Sequence, residues 1–341
     1  MRILLTGIPG TGYHQVLDKL KRQLGRKLEV YRVGRDILNT AKAQGLSVTH
    51  ERVLDTEEST LHALRSSVSQ ALLMKMAQSK AHSVIQTHAS FRWRHTLRPA
   101  FDWALVKLLN PDVCVNLTDN WQDIWGWLQH EPQWKDQLTF SELLFWREEE
   151  YLLTKLMADE LSRGFFLVPY DAAIEVLSGL MLHPGAAKVY LSHPMTGAKG
   201  GVRALANELK RHFVVFDPAA LSDQEFGKIG ATLSTRYGKI RAKVGKKEAS
   251  FLDNVARGQI ARIDFQFIDQ TIITLAYYFR GSPTSAGVQS EMQYATGLNK
   301  DVYTLWLRKG SPSPFVKQYS AEFFEEKQKV VRYLRGKYAT K

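Results

Sequence analysis

The stretch Arg2-Ile3-Leu4-Leu5-Thr6-Gly7-Ile8-Pro9-Gly10-Thr11-Gly12 decides how the first half of the chain reads. Arg2–Thr6 is an apolar run without polar alternation, the mark of a strand buried on both faces. The glycines that follow form a turn between that strand and a helical pattern over Tyr13–Leu24. In such a turn, backbone N–H groups and the head of a helix can cradle phosphate. A complete loop of this kind carries Lys and then Ser or Thr after its last glycine, for the β/γ-phosphates and for Mg²⁺. Here those places hold Tyr13 and His14. The glycines persist, while the cation and the magnesium-binding hydroxyl are replaced.

Working outward, Glu29–Val33, Ser83–Thr87, Val113–Leu117 and Phe165–Val168 read as further strands. Helical patterns lie at Leu61–Lys80 and Thr139–Ser162. Strands separated by helices imply a parallel sheet covered on both faces. After the loop Leu182–Ala187 the alternation restarts: a strand at Val189–Leu191, a helix at Val202–His212 and a strand at Phe213–Phe216. A strand at Thr271–Tyr277, a helix at Val288–Leu298, a strand at Val302–Leu307 and a terminal helix at Glu322–Tyr338 complete it. The expected fold class is α/β, two mainly parallel three-layer domains spanning 1–182 and 187–341.

The length of 341 residues suits two domains. An apolar fraction of 44% with 23% charged residues excludes a wholly disordered chain. One cysteine, Cys114, excludes an intramolecular disulfide framework. The apolar run at the N-terminus is too short for a signal peptide, and a cytoplasmic protein is expected. The net charge of +12 is unevenly spread: residues 1–185 hold 21 Lys/Arg and 21 Asp/Glu, and residues 186–341 hold 25 and 13. That excess suits an anionic partner or a solubilising surface.

The glycine loop in its strand–helix context resembles the adenylate-kinase-like P-loop nucleoside monophosphate kinases, over roughly residues 1–180. The resemblance implies a nucleotide site at Gly7, Gly10, Gly12, Tyr13, His14 and Arg92, with ATP or another nucleotide as the ligand. Where such kinases often carry an acidic step at a strand end, this chain has Gln86-Thr87-His88. His88, Arg92, Arg94 and Arg98 follow as a basic cluster, read as a region facing a monophosphate or as a solvated helix start. The replacements at Tyr13, His14 and Gln86 all weaken phosphoryl transfer, which relies on charge placement. The expected role is therefore a degenerate nucleotide-binding, sensor or scaffold module. The aromatic set Trp121, Trp125, Trp127, Trp134 and Trp146 reads as core or interface.

In the second half, Val189-Tyr190-Leu191-Ser192-His193-Pro194-Met195-Thr196-Gly197 opens the domain. Arg262-Ile263-Asp264 precedes the apolar strand, and Ser285-Ala286-Gly287-Val288-Gln289-Ser290-Glu291 follows it. This order resembles the nucleoside 2-deoxyribosyltransferase-like family, including its deoxynucleotide N-hydrolase branch, over about residues 187–310. N-glycosidic cleavage builds cationic character on the sugar, which a carboxylate beneath C1′ can stabilise or trap. The resemblance makes Glu291, placed in a first helical turn, the nucleophile or electrostatic stabiliser. Asp264 would bind sugar or relay a proton to the leaving base, and Tyr190 would orient the carboxylate. Ser192, His193, Met195, Gly197, Ser285 and Gly287 would hold the substrate. No metal is implied for this domain. Family members assemble as oligomers, so a homo-oligomer is expected.

Arg236, Lys239, Arg241, Lys243, Lys246 and Lys247 fall within twelve residues. They read as a cationic lid at the substrate mouth, a nucleic-acid contact through residues 236–247, or a solvated loop. The functional expectation is cleavage or exchange of the N-glycosidic bond of a nucleotide or nucleoside. The alternatives are an inactive nucleotide sensor or scaffold and a kinase-like phosphotransferase.

Overall fold

The computed structural model describes residues 1–195, 200–230 and 232–338. The chain clusters into two compact units, Met1–Ile174 with Ser222–Gln259, and Glu175–Leu221 with Ile260–Lys341. The units therefore do not follow a single cut at 182–187: the segment 222–259 leaves the second half and packs with the first.

In chain order the first strands are β1 (Arg2–Thr6), β2 (Leu28–Arg32), β3 (His82–Gln86), β4 (Ser90–Trp93), β5 (Thr96–Pro99), β6 (Val113–Thr118) and β7 (Gly164–Pro169). Five of them make a parallel sheet in the order β2-β3-β1-β6-β7. β1 is central, which is why Arg2–Thr6 is apolar on both faces. β4 and β5 form an antiparallel hairpin where the sequence suggested the start of a basic helix. Its two turn residues, Arg94 (φ 50°) and His95 (φ 62°), both adopt the left-handed region that a tight hairpin turn of this twist demands.

The second unit begins with β8 (Lys188–Ser192) and β9 (Val214–Phe216). The chain then makes its excursion, the antiparallel hairpin β10 (Thr232–Thr235) and β11 (Gly238–Arg241), before returning with β12 (Ile273–Tyr278), β13 (Asp301–Trp306) and β14 (Glu322–Phe324). The second sheet is parallel throughout, in the order β14-β13-β12-β8-β9. The first residues of the expected terminal helix thus form an edge strand, and the helix itself is Lys327–Tyr338.

The segment 222–259 joins the first unit because it carries apolar side chains into the tryptophan core. Phe226, Leu233, Ala249 and Leu252 are buried with Trp121, Trp134 and Trp146, and the Trp121 and Phe226 rings stack at 4.0 Å. The Arg147 side chain, buried, pairs with Asp223 (2.8 Å) and also meets Gln259. Hence the basic stretch packs as part of the first unit. Arg236 is tied to Asp119 by an ion pair, while Lys239, Arg241, Lys243, Lys246 and Lys247 extend as exposed side chains. Residues 222–259 hold eight Lys/Arg and four Asp/Glu, so part of the excess charge goes with them.

The chain passes between units within the helix Lys246–Asp269, which the sequence reading did not anticipate. Ala249, Leu252, Ala256, Gln259, Ile263, Gln266, Phe267 and Ile268 are its buried positions, recurring mostly at three- and four-residue steps. Among the described residues no helix is long and apolar enough to cross a membrane.

Candidate functional site

In the second unit the sheet itself sorts the side chains. Val189 and Leu191 of β8 point into the apolar core with Leu205, Leu275 and Leu305. By alternation, Tyr190 and Ser192 point to the other face. The register pairs Tyr190 with Thr274 and Ser192 with Ala276, so Tyr278 lies one step further along that same face of β12. The Phe267 ring lies 6.3 Å from Tyr190 and 5.7 Å from Phe216, so the C-terminal part of the long helix covers this face. Asp264 comes from that helix rather than from a segment leading into the strand.

Glu291 is where these elements converge. Ser285 caps its helix, Ala286–Gly297, by accepting from the Val288 N–H (3.3 Å). The cap starts the helix two residues earlier than expected, so Glu291 sits in the second turn rather than the first. Ser192 Oγ donates to Glu291 Oε2. The Tyr190 hydroxyl is buried and makes no hydrogen bond of ordinary geometry. Burial, then the charge of Glu291, hold its pKa well above the usual phenol value. A Cβ on Gly287 would come 3.9 Å from Glu291 Oε1, so glycine keeps the space beside that oxygen open.

The two carboxyls differ in their surroundings. Burial, then the neighbouring Glu291, push Asp264 up to about 8, partly offset by His193. Glu291 is also raised by burial, but it receives the Ser192 hydrogen bond and the influence of Tyr190 and His193, which favour its charged form. Asp264 is thus the carboxyl without a hydrogen bond that favours its charged form, and Glu291 the one that has it. His193 meets Asp217 through Nε2 (3.0 Å) and the Pro194 carbonyl through Nδ1 (3.2 Å). Burial pulls its pKa down, but the bond to Asp217 and the Asp217 charge outweigh this and raise it. Met195 is exposed. Gly197 lies outside the described residues.

In the first unit the glycine loop is occupied from within. Glu150 is buried and accepts from the N–H groups of Gly7 (3.0 Å), Ala89 (2.7 Å) and Ser90 (2.7 Å) and from Ser90 Oγ (2.8 Å). Gly12 adopts φ 73°, and a Cβ there would collide with the Tyr170 ring. Arg236, from the β10–β11 hairpin, stacks on that ring at 3.9 Å and pairs with Asp119, Asp123 and Asp171. Burial, opposed by Arg236, leaves Asp119 at about 7. Gly10 backs closely on Ile124.

Beside this filled loop lies a cavity of about 330 Å³. Tyr13 and His14 line it with Arg32, Arg35, Arg65, His88 and Trp134. The Arg32 Nε is buried without a hydrogen-bond partner. Burial lowers His88 to about 4, so the ring is neutral and its Nδ1 donates to the Gly7 carbonyl (2.6 Å). Arg92 is not among the lining residues: it forks onto Glu149.

Residues 6–133 match a family model described as an AAA domain. The strand, glycine loop and helix that open this region are those of a P-loop domain. No curated protein matches the sequence. Among solved structures, a 2-deoxyribosyltransferase from Bacillus psychrosaccharolyticus is similar at 18% identity over 46% of this chain and 98% of that one (TM-score 0.31). A shikimate kinase from Bacteroides thetaiotaomicron is similar at 13% identity over 53% and 98% (TM-score 0.35). TT1252 from Thermus thermophilus is similar at 13% over 58% and 98% (TM-score 0.34).

Sequence reasoning missed Glu150, Tyr170, Asp217 and Tyr278. Glu150 ends the run Glu148-Glu149-Glu150, which reads as a solvated helix face. Tyr278 ends an apolar strand and reads as core. Among the described residues no group of three or more His, Cys, Asp or Glu side chains is placed to hold a metal ion.

Proposed function

We propose that the second unit cleaves or exchanges the N-glycosidic bond of a nucleotide or nucleoside, with the first unit as a nucleotide-binding or regulatory module. The observation that carries this reading is the pair of unlike carboxyls, Glu291 held by Ser192 and the buried Asp264 raised by that burial and by Glu291, beside the carboxyl ends of a parallel sheet.

With a sugar seated over Glu291, the C1′–N bond breaks and its electron pair goes to the base nitrogen, which takes the proton of Asp264. A Glu291 oxygen bonds C1′ or balances the cationic sugar. Water, or a second base, then attacks C1′ and releases Glu291, and its proton passes to the Asp264 carboxylate. Tyr190, Ser192 and Gly287 position the nucleophile; Ser285, His193 and Met195 stand around the substrate in this reading. A homo-oligomer belongs to it as well.

The test is release of free base from a panel of nucleosides and nucleotides. Base release that survives undiminished in Glu291→Gln refutes the assignment.

A second reading, a nucleotide sensor without turnover, is favoured by the 330 Å³ cavity with its arginines and aromatic rings. The kinase-like alternative is the weakest. The Gly7 N–H is spent on Glu150, and Tyr170 covers Gly12 where a phosphate donor would lie.

A further inference from the structure

The segment 222–259 brings to the first unit a two-stranded ribbon whose faces differ in kind. Leu233 of β10 and Ile240 of β11 stand opposite one another and pack, with Ala242 and Val244, on the tryptophan core. On the other face Thr232 stands opposite Arg241 and Ser234 opposite Lys239, all four exposed. The alternation runs past the end of β11: Lys239, Arg241 and Lys243 are exposed, while Ile240, Ala242 and Val244 are buried or half-buried. Lys246 and Lys247 follow, also exposed, at the head of the helix Lys246–Asp269.

Residues 232–247 hold six Lys/Arg and no Asp or Glu. Arg236 is spent on Asp119, Asp123 and Asp171. The acids elsewhere in the segment are mostly committed. Asp223 pairs with Arg147, Glu225 pairs with Lys228, and Asp253 accepts from the Phe226 and Gly227 N–H groups. Of the segment's acids Glu248 alone is left beside the five other cations, and among the described residues none of those five makes an ion pair. A surface built for solubility mixes the signs of its charges. Here like charges recur at every second residue, about 7 Å apart, on a ribbon fixed by its apolar face.

We propose that Lys239, Arg241, Lys243, Lys246 and Lys247 bind the phosphodiester backbone of a double-stranded nucleic acid. Their recurrence is of the order of the step between neighbouring phosphates along one strand, so consecutive cations can meet consecutive phosphates. Thr232 and Ser234 add hydroxyl donors across the ribbon. Thr232, Ser234, Lys239, Arg241 and Lys243 include no aromatic ring on which unpaired bases could stack, which favours a duplex over a single strand. They include no large apolar side chain to enter a bilayer either. Phosphate contacts carry no sequence information, so the binding is sequence-independent. This surface lies in the first unit and stands apart from the chemistry at Glu291.

The experiment is fluorescence anisotropy of the full chain with a labelled DNA duplex of mixed sequence, titrated at several salt concentrations. Five phosphate contacts give a slope of log K against log salt of about −4.5, a loss of affinity of about 500-fold between about 50 and 200 mM. The triple variant Lys239→Ser, Arg241→Ser, Lys243→Ser keeps two contacts, so the slope should fall to about −1.8 and the loss to about 12-fold. Lys239→Arg, Arg241→Lys, Lys243→Arg together should keep the wild-type slope. So should Lys19→Ser, Arg22→Ser, Lys42→Ser, which removes equal charge from exposed positions elsewhere in the unit. An equal fall of slope in both serine triples, or no binding at about 50 mM salt, overturns the assignment to the ribbon. Tighter binding of the single strand overturns the duplex. Capture by phosphatidylserine vesicles with the duplex left unbound overturns it in favour of a membrane surface. An RNA duplex of the same sequence, bound with the same slope, upholds the backbone assignment, and the tighter of the two duplexes names the source.

Discussion

Replacing Asp264 by Asn tests the division of labour between the two carboxyls most directly. Asp264 is pushed to about 8 by burial and by Glu291, so the acid that protonates the leaving base is present below that pH and lost above it. With a pKa of about 8, the protonated fraction is about 0.9 at pH 7 and about 0.1 at pH 9. Base release by the wild type should therefore fall about ten-fold across that interval. Asparagine keeps the size and loses the proton. General-acid catalysis contributes about 10²–10⁴-fold, so Asp264→Asn should be slower by that factor at pH 6–7, and its alkaline decline should vanish. A substrate whose base is already cationic, such as an N7-alkylated purine, needs no proton and should lose far less. The assay is chromatographic release of free base between pH 5 and 9.5. An alkaline limb of unchanged position in Asp264→Asn, or an equal penalty on the alkylated and ordinary substrates, refutes the assignment of the proton to Asp264.

Three further outcomes are predicted. Gly126→Ala places a Cβ 2.7 Å from the Thr235 Cβ, wedging the β10–β11 hairpin from the Trp121–Leu128 helix; urea melts should show about 1–3 kcal/mol of destabilisation. Asp223→Ala strands the buried Arg147 charge and should cost about 3–5 kcal/mol in the same assay, whereas an Arg147→Met/Asp223→Leu pair should recover much of it. Calorimetry should find AMP or a deoxynucleoside monophosphate bound in the first unit with at least about 10-fold loss in Arg65→Gln, and ATP bound no better than AMP.

Much of the fold was legible because buried parallel strands carry their own signature. Arg2–Thr6, Val113–Thr118 and Ile273–Tyr278 are mostly apolar and almost wholly buried, and each lies inside its sheet. The capping box of Thr139 and Glu142 likewise marks the start of the helix Phe140–Glu160 within one residue. The Lys246–Asp269 helix escaped because its buried face includes Gln259 and Gln266 while Phe251 and Ile260 are exposed, so hydrophobicity along the sequence does not follow burial. β14 escaped because three residues at a sheet edge are too few for a pattern.

The candidate site divides the same way. The residue types Tyr190, Asp264 and Glu291, and the loss of the loop lysine at Tyr13, are properties of the chain as written. Which carboxyl keeps the proton is not: it depends on burial and on Ser192 reaching Glu291 across 99 residues. Nor could the chain alone reveal that Glu150 takes the Gly7 N–H, that Arg236 closes over Tyr170, or that Lys239, Arg241 and Lys243 are left without acidic partners. Local sequence determines periodicity, turns and caps, because those arise between near neighbours. Desolvation and charge pairing arise between residues a hundred positions apart, and only the folded chain brings them within reach.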